Sequence, residues 1–372
     1  MVIRTMKGLY IHIPFCASKC KYCDFYSFQP TDAMMDSYYS AVLSYFEKQR
    51  GKIGDIFDTV YFGGGTPSFF GGDRIAGILE KARECFSVSD NAEITVECNP
   101  SSVTNALLEK LSTCGVNRIS MGVQSAVDGE RILLGRKSDK TPVEKAIELA
   151  KKNAIENISL DLMLGIPDQT IESLDKSIDF ILKADVRHVS AYILKLEEGT
   201  ELWKMQNELN LPNEDEVCEM YLHTVKRLEA GGIRQYEISN FAVPGYESRH
   251  NTNYWLDGEY LGVGPSAHSF LDGKRYYFER SIKNFIDGKE PIFDCVGGDE
   301  EEFVMLRLRL SSGLCDKDFF QKYKKHLPDR IYSKAKLFEQ NGLCIVKDKT
   351  ISLTPKGFLL SNAIIYELTA QL

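Results

Sequence analysis

Short apolar, β-branched runs alternate with longer amphipathic stretches along the first half of the chain. Six of the runs have the length and composition of buried strands, and they span Leu9–Phe15, Thr59–Gly65, Glu93–Asn99, Arg118–Ser125, Asn157–Pro167 and His188–Leu196. Between them lie helical patterns, such as the stretch from Leu107 to Gly115, where leucines recur with the helical period and a glycine follows. This alternation predicts an α/β domain, barrel-like or open, whose strands are parallel.

Polar residues and glycines follow the carboxyl ends of the predicted strands. In barrels of this kind, the chemistry takes place at those ends. The residues concerned are Cys16, Cys20 and Cys23 after the first strand, Gly63, Gly64, Gly65 and Thr66 after the second, Glu97 near the end of the third, Gln124 in the fourth and Asp161 in the fifth. We expect them to converge on one rim of the domain.

The pattern changes after Gly298, where an acidic segment opens a helical region. Two helices and a short two-stranded wing are predicted there, which indicates a winged-helix-like domain over residues 299–372. The predicted organisation is thus a barrel over residues 1–240, a connecting region over 241–298 and the winged-helix-like domain. The acidic run at the start of that domain argues against DNA binding.

Composition narrows the functional classes. The formal net charge of -8 argues against binding to a phosphate backbone, so no nucleic-acid partner is expected. The first residues, MVIRTMKG, lack the apolar segment of a signal peptide, and no apolar stretch is long enough for a membrane span, so a cytoplasmic protein is expected. In that compartment, ten cysteines indicate metal binding, catalysis or packing rather than disulfides.

Cys16, Cys20 and Cys23 admit three interpretations. They could be unliganded buried thiols, as we expect for Cys85 and Cys114. They could bind zinc, although zinc usually takes four ligands and no second cysteine pair follows. They could hold an iron–sulfur cluster, in which three thiolates would leave one iron of a four-iron cluster open to another ligand.

The C-x3-C-x2-C spacing after the first strand, with a glycine triplet after the second, resembles the radical S-adenosylmethionine superfamily. The resemblance implies a partial (β/α)6 barrel, a [4Fe–4S] cluster on the three cysteines, and S-adenosylmethionine bound to the open iron. It also implies cofactor contacts from residues of the predicted rim and their neighbours. These residues are Tyr10, Tyr22, Gly64, Gly65, Thr66, Glu97, Gln124, Arg136 and Asp161.

Within the superfamily, the chain resembles the branch that contains anaerobic coproporphyrinogen III oxidase, HemN, and the HemW-type haem chaperones. The oxidase has a further cysteine two positions after the third ligand, where this chain has Phe25, and it has a longer N-terminal extension. The segment HNTNYW, His250 to Trp255, matches the H-N-x-x-Y-W motif associated with haem in HemW-type proteins. The two departures count against the oxidase, and the motif favours the chaperone.

The resemblance implies that His250 binds haem iron and that Tyr254 and Trp255 lie against the porphyrin. A neutral imidazole is a good axial ligand, and aromatic rings can cover a macrocycle. A buried histidine that only packs in the core is the alternative interpretation. His268, in the segment GPSAH, is a second candidate ligand.

Three functions follow from the resemblance. The first is a haem chaperone that delivers haem to a recipient haem protein or cytochrome, with an electron donor such as a flavodoxin. The second is radical decarboxylation of coproporphyrinogen III, and the third is radical chemistry on haem itself. Catalytic turnover, a peripheral contact with a membrane and a homodimer all stay open at this stage.

Overall fold

The computed structural model of the chain describes residues 6–54, 56–136 and 140–372. The strands of the described residues are β1 Lys7–Ile13, β2 Ile56–Gly64, β3 Ser87–Cys98, β4 Arg118–Gln124, β5 Asn157–Leu164, β6 His188–Ile193, β7 Arg234–Gln235, β8 Asn240–Ala242, β9 Glu259–Val263, β10 His268–Leu271, β11 Lys274–Tyr277, β12 Ile292–Val296, β13 Leu314–Cys315, β14 Cys344–Lys347 and β15 Thr350–Leu353.

The helices of the same residues are α1 Asp32–Gln49, α2 Pro67–Phe70, α3 Gly72–Cys85, α4 Asn105–Thr113, α5 Asp128–Leu133, α6 Thr141–Lys152, α7 Ile171–Lys183, α8 Glu201–Lys204, α9 Glu214–Ala230, α10 Arg249–Trp255, α11 Ile282–Ile286, α12 Glu300–Arg307, α13 Asp316–Tyr323, α14 Asp329–Gln340, α15 Pro355–Leu359 and α16 Ser361–Thr369. None of these described helices has the length and apolar composition needed to cross a bilayer.

The first six strands lie side by side in sequence order, and each pairs with the next in parallel. All six predicted strands are confirmed, although β1, β5 and β6 end two or three residues before the predicted limits. The residues beyond those ends leave the sheet and form the loops of the rim. Helices α1, α3, α4, α6 and α7 connect the strands, and each buries an apolar face, as expected of βα units.

The main sheet extends beyond the six parallel strands at both ends. Strand β9 pairs in parallel with β1 on the side opposite β2, and β10 to β12 continue the sheet outward from β9. At the other end, β8 pairs antiparallel with β6, and β7 pairs antiparallel with β8 at the edge of the sheet. The connecting region therefore contributes strands to the barrel sheet, while the boundaries at residues 240 and 298 stay predictions.

The C-terminal residues form a small unit of helices around the three-stranded sheet β13-β15-β14. Strands β14 and β15 are an antiparallel pair after α14, which agrees with a winged-helix-like arrangement. Backbone hydrogen bonds join this unit to the barrel, from the Ile238 nitrogen to the Arg309 oxygen at 3.0 Å and from the Ser311 nitrogen to the Tyr236 oxygen at 2.9 Å. The unit is thereby attached beside β7 and β8.

Candidate functional site

The three predicted cluster cysteines lie on one loop, between β1 and α1. Backbone hydrogen bonds close the loop at its base, because the Cys16 nitrogen donates to the Phe28 oxygen at 3.0 Å and Phe28 pairs with Phe15 in a β-bridge. Farther along, the Lys21 nitrogen donates to the Leu134 oxygen at 3.1 Å, which ties the loop to the end of α5. Backbone hydrogen bonds therefore hold the loop at its base and in its middle.

All three cysteines have free thiols, and they differ in how exposed they are to solvent. Cys16 is buried and accepts a hydrogen bond from the Thr66 hydroxyl at 3.3 Å, whereas Cys20 and Cys23 are partly exposed. Burial raises the pKa of the Cys23 thiol, and the neighbouring Cys20 and Cys16 thiols raise it further. Among the described residues, no three His, Cys, Asp or Glu side chains converge closely enough for a single metal ion. A four-iron cluster binds each thiolate through a different iron, so it does not require such convergence.

A cavity of about 310 Å³ opens beside the loop, at the carboxyl ends of β2 to β4. Its wall includes Cys20, Thr66, Asn99, Gly122, Arg131 and Arg136. Thr66 and Arg136 are the predicted cofactor residues that line this cavity. Asn99, Ser101, Ser102, Gly122 and Arg131 also line it and were missed from the sequence. The polar run that follows β3 was the available signal for three of them.

Arg136 joins three parts of the first cavity. Its guanidinium donates to the Gly122 carbonyl oxygen at 2.7 Å and to the Tyr22 hydroxyl at 3.1 Å. Burial lowers the pKa of Arg136, but the nearby Tyr22 and Cys20 outweigh burial and raise it overall. The buried Nε atom has no partner among the described residues. Tyr22 and Arg136 are thus in contact, Arg136 lines the first cavity, and the cofactor role of both stays a prediction.

Gly64, Gly65 and Thr66 form a turn that packs against the cluster loop. The Gly65 and Thr66 nitrogens each donate at 2.7 Å, to the Ile13 and Phe15 oxygens respectively. A Cβ atom on Gly65 would lie 2.7 Å from the Ile13 oxygen and 2.8 Å from the Phe15 backbone, so only glycine fits. Gly64 has a φ of 105°, which also favours glycine. The glycine turn is therefore hydrogen-bonded to the chain that leads from β1 into the cluster loop.

Glu97 and Asp161 lie in the barrel interior and do not line the first cavity. Glu97 accepts hydrogen bonds from the Tyr61 hydroxyl at 2.8 Å and the Gly64 nitrogen at 3.1 Å, and burial raises its pKa to about 7. Asp161 accepts from the Ser120 hydroxyl at 3.2 Å, and burial raises its pKa as well. Both carboxyls already have protein partners in this conformation, so their contact with a cofactor stays a prediction.

Gln124 occupies a strained backbone position at the end of β4. Its φ is 64°, and a register shift in the pairing of β4 with β5 lies beside it. The buried Oε1 atom has no hydrogen-bond partner in the described part of the chain. A Cβ atom on Gly122 would lie 2.6 Å from the Gln124 amide nitrogen and 2.8 Å from Arg136, so a larger residue there would displace both side chains. The Gln124 side chain thus lies close to Gly122 of the first cavity, and its Oε1 atom is an acceptor without a partner among the described residues.

His250 is buried on helix α10, with 1% of its surface exposed. Its Nδ1 atom lies 2.7 Å from the Thr59 hydroxyl, and its Nε2 atom lies 2.7 Å from the Tyr254 hydroxyl. The ring also stacks on Tyr61 at 5.0 Å between centroids. Burial lowers the pKa of His250 to about 3, and Arg118 lowers it further. The imidazole is therefore neutral, and both nitrogens are occupied in this conformation.

A second cavity of about 390 Å³ lies on the other side of the cluster loop. Its wall includes Tyr10, His12, Tyr26, Tyr254, Tyr260 and His268. Tyr10 thus faces this cavity rather than the first. Trp255 does not line it, and lies instead beside Arg309 of the C-terminal unit, with the guanidinium carbon 5.9 Å from the ring centroid. The structure therefore brings Tyr254, but not Trp255, to the second cavity.

Two family models match the chain. The model of the radical SAM superfamily matches residues 10–181, which include the cluster loop and five of the parallel strands. The model of the HemN C-terminal domain matches residues 300–360, in the winged-helix-like unit. The chain is also 35% identical to the heme chaperone HemW of Bacillus subtilis, over 96% of this chain and 98% of that protein. The chain belongs to the HemW family of radical SAM proteins.

Other similarities agree with this assignment. The heme chaperone HemW of Lactococcus lactis is 32% identical, over 97% of each chain. The crystal structure of coproporphyrinogen III oxidase (HemN) from Escherichia coli superposes with a TM-score of 0.82 and 22% identity, over 99% of this chain and 91% of that one. At that identity, the likeness to HemN concerns the fold alone.

Membership of the radical SAM superfamily implies a [4Fe–4S] cluster and S-adenosylmethionine, and the residues of this HemW-family chain fit both. Three free thiols lie on one loop. The Arg136 Nε and Gln124 Oε1 atoms are polar, buried and unpartnered among the described residues, one at the wall of the first cavity and one close to it. A charged donor and a free acceptor suit the carboxylate and amino groups of an amino-acid ligand.

Proposed function

We propose that this chain is a haem chaperone that binds haem and delivers it to haem proteins. Cys16, Cys20 and Cys23 hold the cluster, and S-adenosylmethionine occupies the first cavity. When bound, these groups supply one-electron chemistry at the iron that lacks a protein thiolate. The names of the HemW relatives and the match over nearly the full length support this function.

The observation that carries the proposal is the position of the cluster loop between the two cavities. Cys20 lines the first cavity, whereas Asp24, Phe25 and Tyr26, which directly follow Cys23, line the second. One short segment therefore contacts both ligand spaces. This segment is the structural link between the proposed cofactor site and the second cavity.

The residues of the first cavity orient the cofactor. The Arg136 guanidinium, fixed by Gly122 and Tyr22, presents its remaining donor to the carboxylate of S-adenosylmethionine. The glycine turn keeps Thr66 next to Cys16, so the cluster loop and the cofactor pocket keep a constant distance from each other. Glu97 and Asp161 stay candidate partners for the amino and ribose groups.

The proposed partners beyond haem remain predictions. They are a recipient haem protein or cytochrome, an electron donor such as a flavodoxin, a peripheral contact with a membrane, a homodimer in a cytoplasmic setting, and no nucleic acid. Iron ligation by His250 also remains a prediction. In the conformation described, ligation through Nε2 requires the hydrogen bond to Tyr254 to break, whereas Nδ1 can keep its bond to Thr59.

Anaerobic reconstitution and a haem-transfer assay test the function. We expect about four irons per chain, loss of the cluster in Cys16→Ser, Cys20→Ser and Cys23→Ser, and its retention in Cys85→Ser and Cys114→Ser. The wild-type chain loaded with haem should pass it to an apo-form haem protein, followed by the absorption of the acceptor. Stoichiometric zinc without iron would refute the cluster, and haem that never leaves or never binds would refute the chaperone.

A further inference from the structure

We propose that haem docks in the second cavity with His268 as its axial iron ligand. This inference rests on the proposed function and names the site that the cargo occupies. His268 is the first residue of β10 and is exposed at the cavity wall.

His268 is the imidazole that can accept an iron without rearrangement. His12 also lines the cavity, but its Nδ1 atom lies 3.1 Å from the Tyr10 hydroxyl and its Nε2 atom 2.9 Å from the Tyr26 carbonyl oxygen. The nitrogens of His250 are occupied in the same way. In the described residues, no hydrogen bond involves a ring nitrogen of His268. Iron ligation there breaks no bond of the protein.

The His268 ring is held in place although its nitrogens are free. It stacks on Tyr277 of the neighbouring strand, with centroids 5.7 Å apart and an interplanar angle of 28°. Its backbone pairs with Tyr277 of β11, and its carbonyl oxygen packs so closely on Gly262 that a Cβ atom there would lie 2.0 Å away. A ligand on a paired strand, with a stacked ring, is preorganised for a metal.

The walls of the second cavity suit a flat, largely apolar macrocycle. The Tyr254 and Tyr260 rings meet edge to face at 4.6 Å between centroids, and Tyr10 lies beside them in the wall. Phe25 lines the same cavity with 67% of its surface exposed. An exposed aromatic ring next to a cavity gains apolar contact when a ligand covers it.

The rim carries a group for a haem propionate. Arg280 lines the cavity with 57% of its side chain exposed, and its guanidinium donates to the Asp24 carbonyl oxygen at 2.8 Å. The guanidinium also lies 3.7 Å from the Asp24 carboxylate, so a propionate would share or replace that ion pair, and Arg pairs well with a carboxylate. The cavity volume of about 390 Å³ holds part of a macrocycle, and the exposed remainder suits a cargo that must be released.

His250 has a different role in this site. Its hydrogen bond to Tyr254 sets the position of a ring that forms the cavity wall. His250 is therefore a positioning residue, which acts on haem through Tyr254 rather than through the iron. The motif HNTNYW would thus shape the wall, while the ligand comes from the segment GPSAHSF that follows it.

A titration of the reconstituted full-length chain with ferric haem, followed by absorption and electron paramagnetic resonance spectroscopy, tests the inference. We expect His268→Ala to weaken affinity about tenfold or more and to change the axial-ligand spectrum, with rescue by added imidazole. His268→Cys should give a thiolate spectrum. His250→Ala and Tyr254→Phe should weaken binding but keep the imidazole spectrum. His223→Ala, whose ring bonds Asp175 away from both cavities, is the control.

Two results would overturn the inference. One is a His268→Ala variant that binds haem with wild-type affinity and spectrum. The other is a His250→Ala variant that retains its cluster iron but loses the imidazole spectrum, while His268→Ala keeps it. Either result leaves the chaperone function standing if the wild-type chain still transfers haem. A wild-type chain that binds no haem would refute both proposals together.

Discussion

The Nε2 atom of His250 lies 2.7 Å from the Tyr254 hydroxyl, one helical turn farther along α10. The spacing of four residues places both side chains on one face of the helix. Because the pair is buried, breaking it leaves polar groups unpaired at a cost of about 1–3 kcal/mol. Within the haem-associated motif, His250 is thus hydrogen-bonded to Tyr254. Of these two residues, Tyr254 is the one that lines a cavity.

We expect no conversion of coproporphyrinogen III to protoporphyrinogen IX by the reconstituted chain. This chain has Phe25 two positions after the third cluster cysteine, where the resemblance implies a further cysteine in the oxidase, and a phenyl ring has none of the chemistry of a thiol. Porphyrin products after a reaction with S-adenosylmethionine and a reductant provide the measurement. A parallel assay of cofactor binding shows whether the protein was competent. Sustained turnover would favour the oxidase function instead.

Gly65→Ala should disturb the cluster loop. The new methyl group would lie within 2.8 Å of the Ile13 and Phe15 backbone, which cannot yield as a flexible side chain can. We expect a loss of about 1–3 kcal/mol in the free energy of unfolding and a lower iron content after reconstitution.

Gly129→Ala is the matched control for that substitution. Gly129 lies in α5, with nothing within 4 Å of its added methyl group, and alanine favours helices by about 0.5–1 kcal/mol. It should leave iron content unchanged. Equal effects of the two substitutions would contradict the role of the glycine turn.

Arg136→Lys should weaken the binding of S-adenosylmethionine about tenfold without removing the cluster. A lysine keeps the charge but cannot bond the Gly122 oxygen and the Tyr22 hydroxyl while pointing a third donor at a ligand. Equilibrium binding to the reconstituted protein measures the effect. Arg83→Lys, in α3 and bonded to the Cys114 oxygen, is the control and should bind normally. Unchanged affinity in Arg136→Lys would remove Arg136 from the cofactor site.

The pKa of Glu97 makes a specific prediction for the stability of the cofactor-free chain. Burial raises this pKa to about 7, above the value of 4.5 for an exposed carboxyl. The folded state therefore holds a proton that the unfolded state releases, so the contribution of Glu97 to the free energy of unfolding falls as pH rises through that interval. The fall amounts to about 3 kcal/mol.

Glu97→Gln removes this titration. The variant should become more stable relative to wild type as pH rises from about 5 to about 8, in urea-unfolding experiments. Glu47→Gln is the control, because hydrogen bonds from Arg50 and Lys81 lower the pKa of Glu47 to about 2, outside that interval. A constant difference between Glu97→Gln and wild type across the range would contradict the buried acid.

The sequence could predict the parallel strands and the cluster loop because their signals are local. Apolar runs such as Leu9–Phe15 identify strands by themselves, and the spacing of Cys16, Cys20 and Cys23 is readable within eight residues. The winged-helix-like unit has an equally local pattern. The prediction that strand ends converge also holds for Thr66 and Arg136, because parallel strands end at one rim.

The partners of His250 could not be predicted in the same way. Thr59 is separated from it by most of the barrel in sequence, and nothing in HNTNYW indicates that the ring turns inward. The sequence also could not show that the predicted cofactor residues are divided between two cavities. Tyr10 and Tyr22 are both near the cysteines in sequence, yet Tyr22 bonds Arg136 at the first cavity and Tyr10 lines the second.

Strand β1 pairs with β2 on one side and with β9 on the other, where Lys7 lies opposite Glu259. During synthesis, β1 is made before β2 and long before its other partner β9, which follows β6 and α10 in the sequence. During that interval the strand that carries the cluster loop has an open hydrogen-bonding edge. All described lining residues of the first cavity have been synthesised by Val143, whereas the second cavity also needs Tyr254, Tyr260 and His268, so we expect the proposed cofactor site to be available to a nascent chain before the proposed haem site.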